Sequence, residues 1–403
     1  MCSLPRLFIE SPMRVQRGIV ISRKGEIMKR KFLIYTISFV LVSMVGTAHE
    51  IGAYNRKTIK AKKITFSFPG SEAIPLKDHT RPDHDEDVPT PEFIKGKRNE
   101  PVAYPQGSTL SIDVVFKAKD TVQSAWIGSS FFERQRVTFT NRKSGTVTFT
   151  ATAPLEFDVG IHTLAIDWHF CDVNDSGDPS WESPQKMRKT KHTLYITHDT
   201  PAGTPPFFKK VVEWSCGWSE SATTGEEIVE DCFDGIWGLT SQGYRYVYPF
   251  SGRTGDKVDD ILDQKEGACS EWAVFLLRCV EAQGVDVYTT NIVPDRIDGM
   301  SYDRFRVYQE ALGGDAGPWI YGNHVLVIYG GAFAQASDAD IGTAYDPTYH
   351  LTGPGWGGYE DVLIDDLGKG WAWYPNPGFG GGPEDDVLNT KLHEAIDDWD
   401  YRD

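Results

Sequence analysis

No apolar stretch in this sequence reads as a membrane-spanning helix. The best stretch, Phe32 to Val45, has 14 residues, short of the roughly 20 that a spanning helix needs. Met28-Lys29-Arg30-Lys31 precede it and Gly46-Thr47-Ala48 follow, so the pattern reads as a signal peptide cleaved near residue 48, with residues 1–27 upstream of the true start. No cysteine stands directly after the cleavage point, so a lipoprotein anchor is not indicated. Positive charge is scarce as well: 41 Lys and Arg stand against 57 Asp and Glu, a net charge of −16. Removing residues 1–48 leaves 33 basic and 55 acidic residues, a net −22. Nucleic acid and anionic membrane surfaces are therefore poor partners, since both would be repelled, and the acidity reads as solubility outside the cell. Cysteine is also sparse. Five of the six follow residue 48, an odd number that leaves at least one thiol free in an exported chain; the other four permit three pairings.

What the chain does have is enough apolar material for two ordinary domains. It is 403 residues long, 40% hydrophobic and 12% aromatic, with a mean hydropathy of −0.37, values of a globular protein. Residues 49–108 are polar, with a strand candidate at Lys63 to Phe68 and otherwise the character of coil. His79 and His84 lie there among acidic residues and read as a solvated loop. Residues 109–198 alternate with period two. Leu110, Ile112, Val114 and Phe116 form one run, Val147, Phe149 and Ala151 a second, Leu164, Ile166, Trp168 and Phe170 a third, and His192 to Thr197 a fourth. Several such strands between turn-rich segments predict an immunoglobulin-like β-sandwich with Trp168 and Phe170 in its core. Within it, Asp172, Asn174 and Ser176, followed by Gly177, imitate the start of a calcium loop, but Ser183 stands where a bidentate carboxylate is needed. A polar turn is the preferred reading, and no cofactor is required. Residues 199–206 read as a linker, 207–366 as a second domain, and 367–403 as a Gly-rich, acidic tail with a terminal helix over Leu388 to Trp399.

The second domain is organised around Gln264 to Arg278. A charged lead-in containing Gly267 gives way at Cys269 to the apolar run Ala273 to Leu277, a loop entering a buried helix with Cys269 in its first turn. Free amides and the positive end of the helix dipole favour a thiolate there. Such a nucleophile needs a base and a group to orient the base. His324 opens an apolar strand and Asp346 closes another, in Thr343-Ala344-Tyr345-Asp346-Pro347. A hairpin centred near residue 335 sets the two opposite each other, within reach of a hydrogen bond. Cys279 reads as packing. Ahead of the nucleophile, Thr224 and Glu227 form a capping-box signature for a helix carrying Ile228, Cys232 and Ile236 and ending at Gly238. Tyr244, Tyr246 and Tyr248 follow as an alternating run that is either core packing or a wall of the substrate cleft.

Gly267-x-Cys269-x-Glu271-x-Ala273 with Leu277-Arg278 and Gly284-Val285, then His324 at the head of a strand, then Tyr345-Asp346-Pro347-Thr348, together resemble the three catalytic segments of the transglutaminase-like superfamily. The resemblance covers residues 208–366, with Val325-Leu326 where the family commonly has Ala-Trp. It implies a papain-like α+β domain after the sandwich, and a thiolate that attacks a carboxamide to form a thioester, passed on to an amine or to water. Cys269 is then the nucleophile, His324 the base and acid, and Asp346 its orienter, with a protein or peptide as substrate. The Cys269 backbone N–H, with Trp237 or Gln264, is a candidate donor to the oxyanion. The alternative is a noncatalytic extracellular binding or scaffold protein with a degenerate domain of this type.

Overall fold

In the computed structural model the described residues are 59–66, 73–80, 91–118, 122–140, 144–172, 184–248, 250–252, 255–292, 296–297, 300–307, 311–314, 319–321, 324–330, 342–354 and 372–375. The signal peptide, Asn174, Ser176 and the C-terminal helix anticipated from sequence lie outside them. The architecture is α+β, and all described residues belong to one compact unit, Asn55–Asp403.

Residues 59–197 build three sheets around a single core. The strands are β1 (Ile59–Phe66), β2 (Leu76–Lys77), β3 (Glu92–Ile94), β4 (Arg98–Asn99), β5 (Val102–Pro105), β6 (Ser111–Ala118), β7 (Ser124–Gly128), β8 (Gln135–Thr138), β9 (Ser144–Thr150), β10 (Gly160–Ile166), β11 (His169–Asp172), β12 (Gln185–Lys186) and β13 (Thr190–Thr197). They order as β4-β3-β1-β6-β9, β10-β13-β5 and β12-β11-β7-β8, with β2 set apart. Ile64, Ile112 and Phe149 from the first sheet, Leu164 and Leu194 from the second, and Ile127 and Phe170 from the third fall in one apolar cluster. Trp168 is fully buried there, against Phe116, Phe132 and Phe149.

Two sequence expectations are corrected here. Residues 49–108 are not coil beyond one strand, for the described part supplies β1 to β5 and places Ile59, Ala61, Val102 and Tyr104 in the core. The alternation was hidden because β1 carries an irregularity between Ala61 and Lys63, which puts one extra residue in the strand and breaks the period of two. The run from Leu164 to Phe170 is likewise two strands rather than one. Its residues stay inward, but β10 pairs with β13 while β11 pairs with β7 and β12.

The second half begins with β14 (Phe207–Phe208), which pairs in parallel with β2. Four helices follow: α1 (Lys209–Trp218), α2 (Gly225–Gly238), α3 (Lys257–Gln264) and α4 (Cys269–Ala282). α2 starts as its sequence predicts. The Thr224 side chain accepts from the Glu227 amide, the Glu227 carboxylate accepts from the Thr224 amide, and Ile228, Cys232 and Ile236 are buried. Between the helices β15 (Arg245–Tyr246) pairs with β16 (Glu266–Gly267). Then come β17 (Val287–Ile292), β18 (Arg296–Ile297), β19 (Met300–Val307), β20 (Trp319–Tyr321), β21 (His324–Tyr329), β22 (Thr343–Asp346), β23 (Leu351–Pro354) and β24 (Ala372–Pro375). The antiparallel sheet β17-β21-β22-β23 packs against α4. A smaller third cluster, including Leu76, Tyr195, Phe207, Cys216 and Ala282, draws from both halves.

Candidate active site

Cys269 is the first residue of α4 and is 7% exposed. Its position follows from how the helix begins. Ala268 is the N-cap and has no side-chain acceptor, so no capping side chain occupies the first amides of the helix. Glu271 supplies the other half of a cap, its carboxylate accepting the Ala268 N–H at 3.0 Å. The Trp272 indole N–H donates to the Gly267 carbonyl at 3.0 Å and fastens the entering loop to the helix. A Cβ on Gly267 would come within 2.9 Å of the Glu271 side chain, so the loop can lie this close only with glycine there.

His324 and Asp346 are both fully buried. The His324 Nε2 N–H donates to Asp346 Oδ2 at 2.9 Å. The register differs from the one anticipated. Ile328 lies opposite Ala344 and Val327 opposite Tyr345, which sets Asp346 across from Leu326, two residues from His324. A slip of two keeps both side chains on one face, where a slip of one would have separated them. The diagonal gap is bridged by two side chains that reach toward each other. The other carboxylate oxygen, Oδ1, accepts from the Thr348 amide at 2.9 Å and the Tyr349 amide at 3.3 Å. This turn, with Pro347 inside it, pins the carboxylate.

The Cys269 side chain also acts on the imidazole, favouring its charged form. Burial alone would lower the His324 pKa, but the charge and hydrogen bond of Asp346, joined by Cys269, outweigh it and raise the pKa to about 10. His324 and Asp346 are therefore brought into direct contact, and Cys269 contributes to the upward shift of the imidazole.

Trp237 and Gln264 direct their donors elsewhere. The Trp237 indole N–H donates to the Pro347 carbonyl at 3.0 Å, bracing the Asp346 turn, and the Gln264 amide donates to Asp260 at 3.2 Å. His350, a second histidine near the turn, stacks on Trp237 and is engaged by Asp234 at 2.9 Å. Tyr244 and Tyr246 are buried in the core and Tyr248 is exposed, so the tyrosine run is packing for its first two members. The sequence reading overlooked Tyr349 and Lys257. Tyr349 is buried with its ring centroid 5.3 Å from that of His324. Lys257, at the start of α3, has its pKa lowered by burial against the opposing charges of Glu271 and Cys269. Asp256, which caps α3 by accepting from the Val258 and Asp259 amides, was the signal that could have revealed that helix and the lysine it presents.

No protein-family model matches the sequence, and no curated protein does. Among solved structures the chain is similar to the periplasmic domain of TgpA from Pseudomonas aeruginosa, at 11% identity over 75% of this chain and 89% of that one, with a TM-score of 0.23. It is similar also to a candidate protease from Parabacteroides distasonis, at 9% identity over 73% of this chain and 70% of that one, with a TM-score of 0.22. Superpositions this loose establish neither fold nor function.

All five described cysteines are free thiols, and burial pushes Cys216 and Cys232 up to about 12 and Cys279 well above its ordinary value. Such thiols stay protonated and unreactive. Among the described residues no three His, Cys, Asp or Glu side chains gather to hold a metal. Nor is any described helix long and apolar enough to cross a membrane.

Proposed function

We propose that the protein is a transglutaminase-like cysteine enzyme that attacks a peptide or side-chain carboxamide through a thioester. The observation that carries this reading is the buried His324–Asp346 pair at 2.9 Å, with Cys269, at a helix start, adding to the upward shift of the same imidazole. A histidine held protonated beside a thiol at the positive end of a helix favours a thiolate–imidazolium pair.

The steps follow from that pair. The Cys269 thiolate adds to the amide carbon, and the charge passes to oxygen, where the Cys269 backbone N–H can donate, with Gln264 or Trp237 as the second donor after a change of partner. His324 gives its proton to the departing nitrogen, the C–N bond breaks, and ammonia or an amine leaves a thioester on Cys269. The neutral imidazole then takes a proton from an incoming amine or water as that nucleophile attacks. The C–S bond breaks and the thiolate returns. Asp346 orients the ring throughout and stabilises its cationic form.

An exported location accords with the basic and apolar pattern of residues 28–48. The test is ammonia release from a glutamine-containing peptide, with and without a primary amine, by wild type and Cys269→Ala. Release or amine incorporation by wild type alone supports the reading. Equal turnover by Cys269→Ala would place the chemistry elsewhere.

A further inference from the structure

Far along the chain from Cys269, basic side chains crowd one part of the first half of this acidic protein. Lys60 on β1, Lys95 just after β3, and Arg188, Lys189 and Lys191 around the start of β13 line a cavity of about 560 Å³. That volume lies in the range of about 300–1,000 Å³ typical of small-ligand sites. Ala61 and Phe93 give the cavity an apolar wall. Thr190 also lines it, and its hydroxyl accepts from the buried Trp168 indole N–H at 3.1 Å, so one side of the cavity is tied directly to the rigid core.

Among the described residues most of these charges are not paired. Lys189 pairs with Asp167 at 3.0 Å, both partly exposed, whereas Lys60, Lys95, Arg188 and Lys191 have no acidic partner among the described residues. Like charges closer than a screening length repel, and Lys95 registers this. Its pKa is lowered first by burial and then by Lys60, Arg188 and Lys62. A chain with a net charge of −16 does not gather five cations around a partly apolar hollow as an average consequence of its composition.

We propose that this cavity is an anion-binding site for a compact ligand bearing two or more oxyanion groups, carboxylate, sulfate or phosphate, on a partly apolar body. The cations meet the oxyanions, and Ala61 and Phe93 meet the body. The ligand chemistry could be presented free in solution or as a unit of an acidic polymer.

The experiment is calorimetric titration of the full chain with citrate, inorganic triphosphate and polygalacturonate at low and high salt. Saturable binding to one site, weakening as salt rises, is expected for at least one probe. Binding of citrate or triphosphate identifies a free ligand, and binding of polygalacturonate alone a polymer-borne one. The exposed pair Arg188→Gln/Lys191→Gln should weaken binding about tenfold or more, which corresponds to about 1.4 kcal/mol. Arg136→Gln/Lys210→Gln removes the same charge elsewhere and should leave binding within about twofold of wild type. Failure of every probe to bind overturns the proposal. So does equal weakening by the two double variants, which would reduce the effect to net charge.

Discussion

At the scale of single residues, the His324–Asp346 contact makes a prediction about pH. The folded-state pKa of His324 is raised from 6.5 to about 10. Such a group stabilises the fold fully below its unfolded pKa, and that contribution fades as pH rises through the folded value. The stability difference between wild type and Asp346→Asn, from urea unfolding, should therefore be largest near pH 6 and shrink toward pH 10. A difference that stays constant over that range would show that the aspartate acts only as a neutral hydrogen-bond acceptor. The residues themselves were legible in the sequence. Cys269 precedes an apolar helical run, His324 opens an apolar strand, and Asp346 precedes a proline. Their neighbours were less so, because Tyr349 and Lys257 reach the site by folding rather than by any local pattern. The sequence suggested Trp237 and Gln264 as donors, but their present bonds go to Pro347 and Asp260, and no sequence pattern encodes which acceptor a side chain will choose.

Among the elements, those with end signals were the readable ones. α2 has both halves of its capping box, and Thr224→Ala should cost about 1 kcal/mol of stability, seen as a lower urea midpoint with an unchanged slope. α1 has Phe208 at its N-cap and no side-chain cap bond, so nothing announced it. β1 was only partly visible for the different reason of its irregularity at Ala61. Strand β13 carries an inward histidine that fits its alternation but not its chemistry. His192 is 1% exposed, packs edge-on against Phe66 and Phe93, and has no hydrogen-bond partner for either ring nitrogen among the described residues. Burial lowers its pKa from 6.5 to about 4. A histidine depressed in this way must be neutral in the fold, so stability present above about pH 6.5 is lost as pH falls toward 4. His192→Phe should remove about 3 kcal/mol of that acid sensitivity at most, measured as the change in unfolding free energy between pH 7 and pH 4. An unchanged acid response in the variant would mean that other groups dominate it.

For the molecule as a whole, what matters is how α4, the helix that Cys269 begins, is tied to the strands of the first half. At the end of α4, Gln283 is fully buried. Its side-chain amide donates to Ser215 at 2.8 Å and its side-chain carbonyl accepts from the His198 N–H at 3.2 Å, while its backbone carbonyl accepts from the Asp199 N–H at 3.0 Å. Gly284 follows in the left-handed region, and a Cβ there would lie 2.6 Å from the Thr200 carbonyl, so the segment after β13 lies against a site that only glycine fits. Gln283→Leu strands buried polar groups on both sides and should cost about 3 kcal/mol. Because the junction joins both halves, the variant should also broaden or split the urea transition relative to that of wild type. This junction was invisible in the sequence, where residues 199–206 read as a plain linker. A composition rich in proline and glycine says where regular structure stops, but not what packs against the segment.

The central claim is that Cys269 is a thiolate poised by His324. The most direct measurement is the rate of iodoacetamide labelling of the folded protein at pH 6, resolved by peptide mapping, in wild type and His324→Ala. The account predicts that Cys269 labels rapidly, that Cys216, Cys232 and Cys279 do not label, and that His324→Ala slows Cys269 by about tenfold or more. A Cys269 that stays unlabelled until the protein unfolds, or labels equally fast without His324, would contradict it.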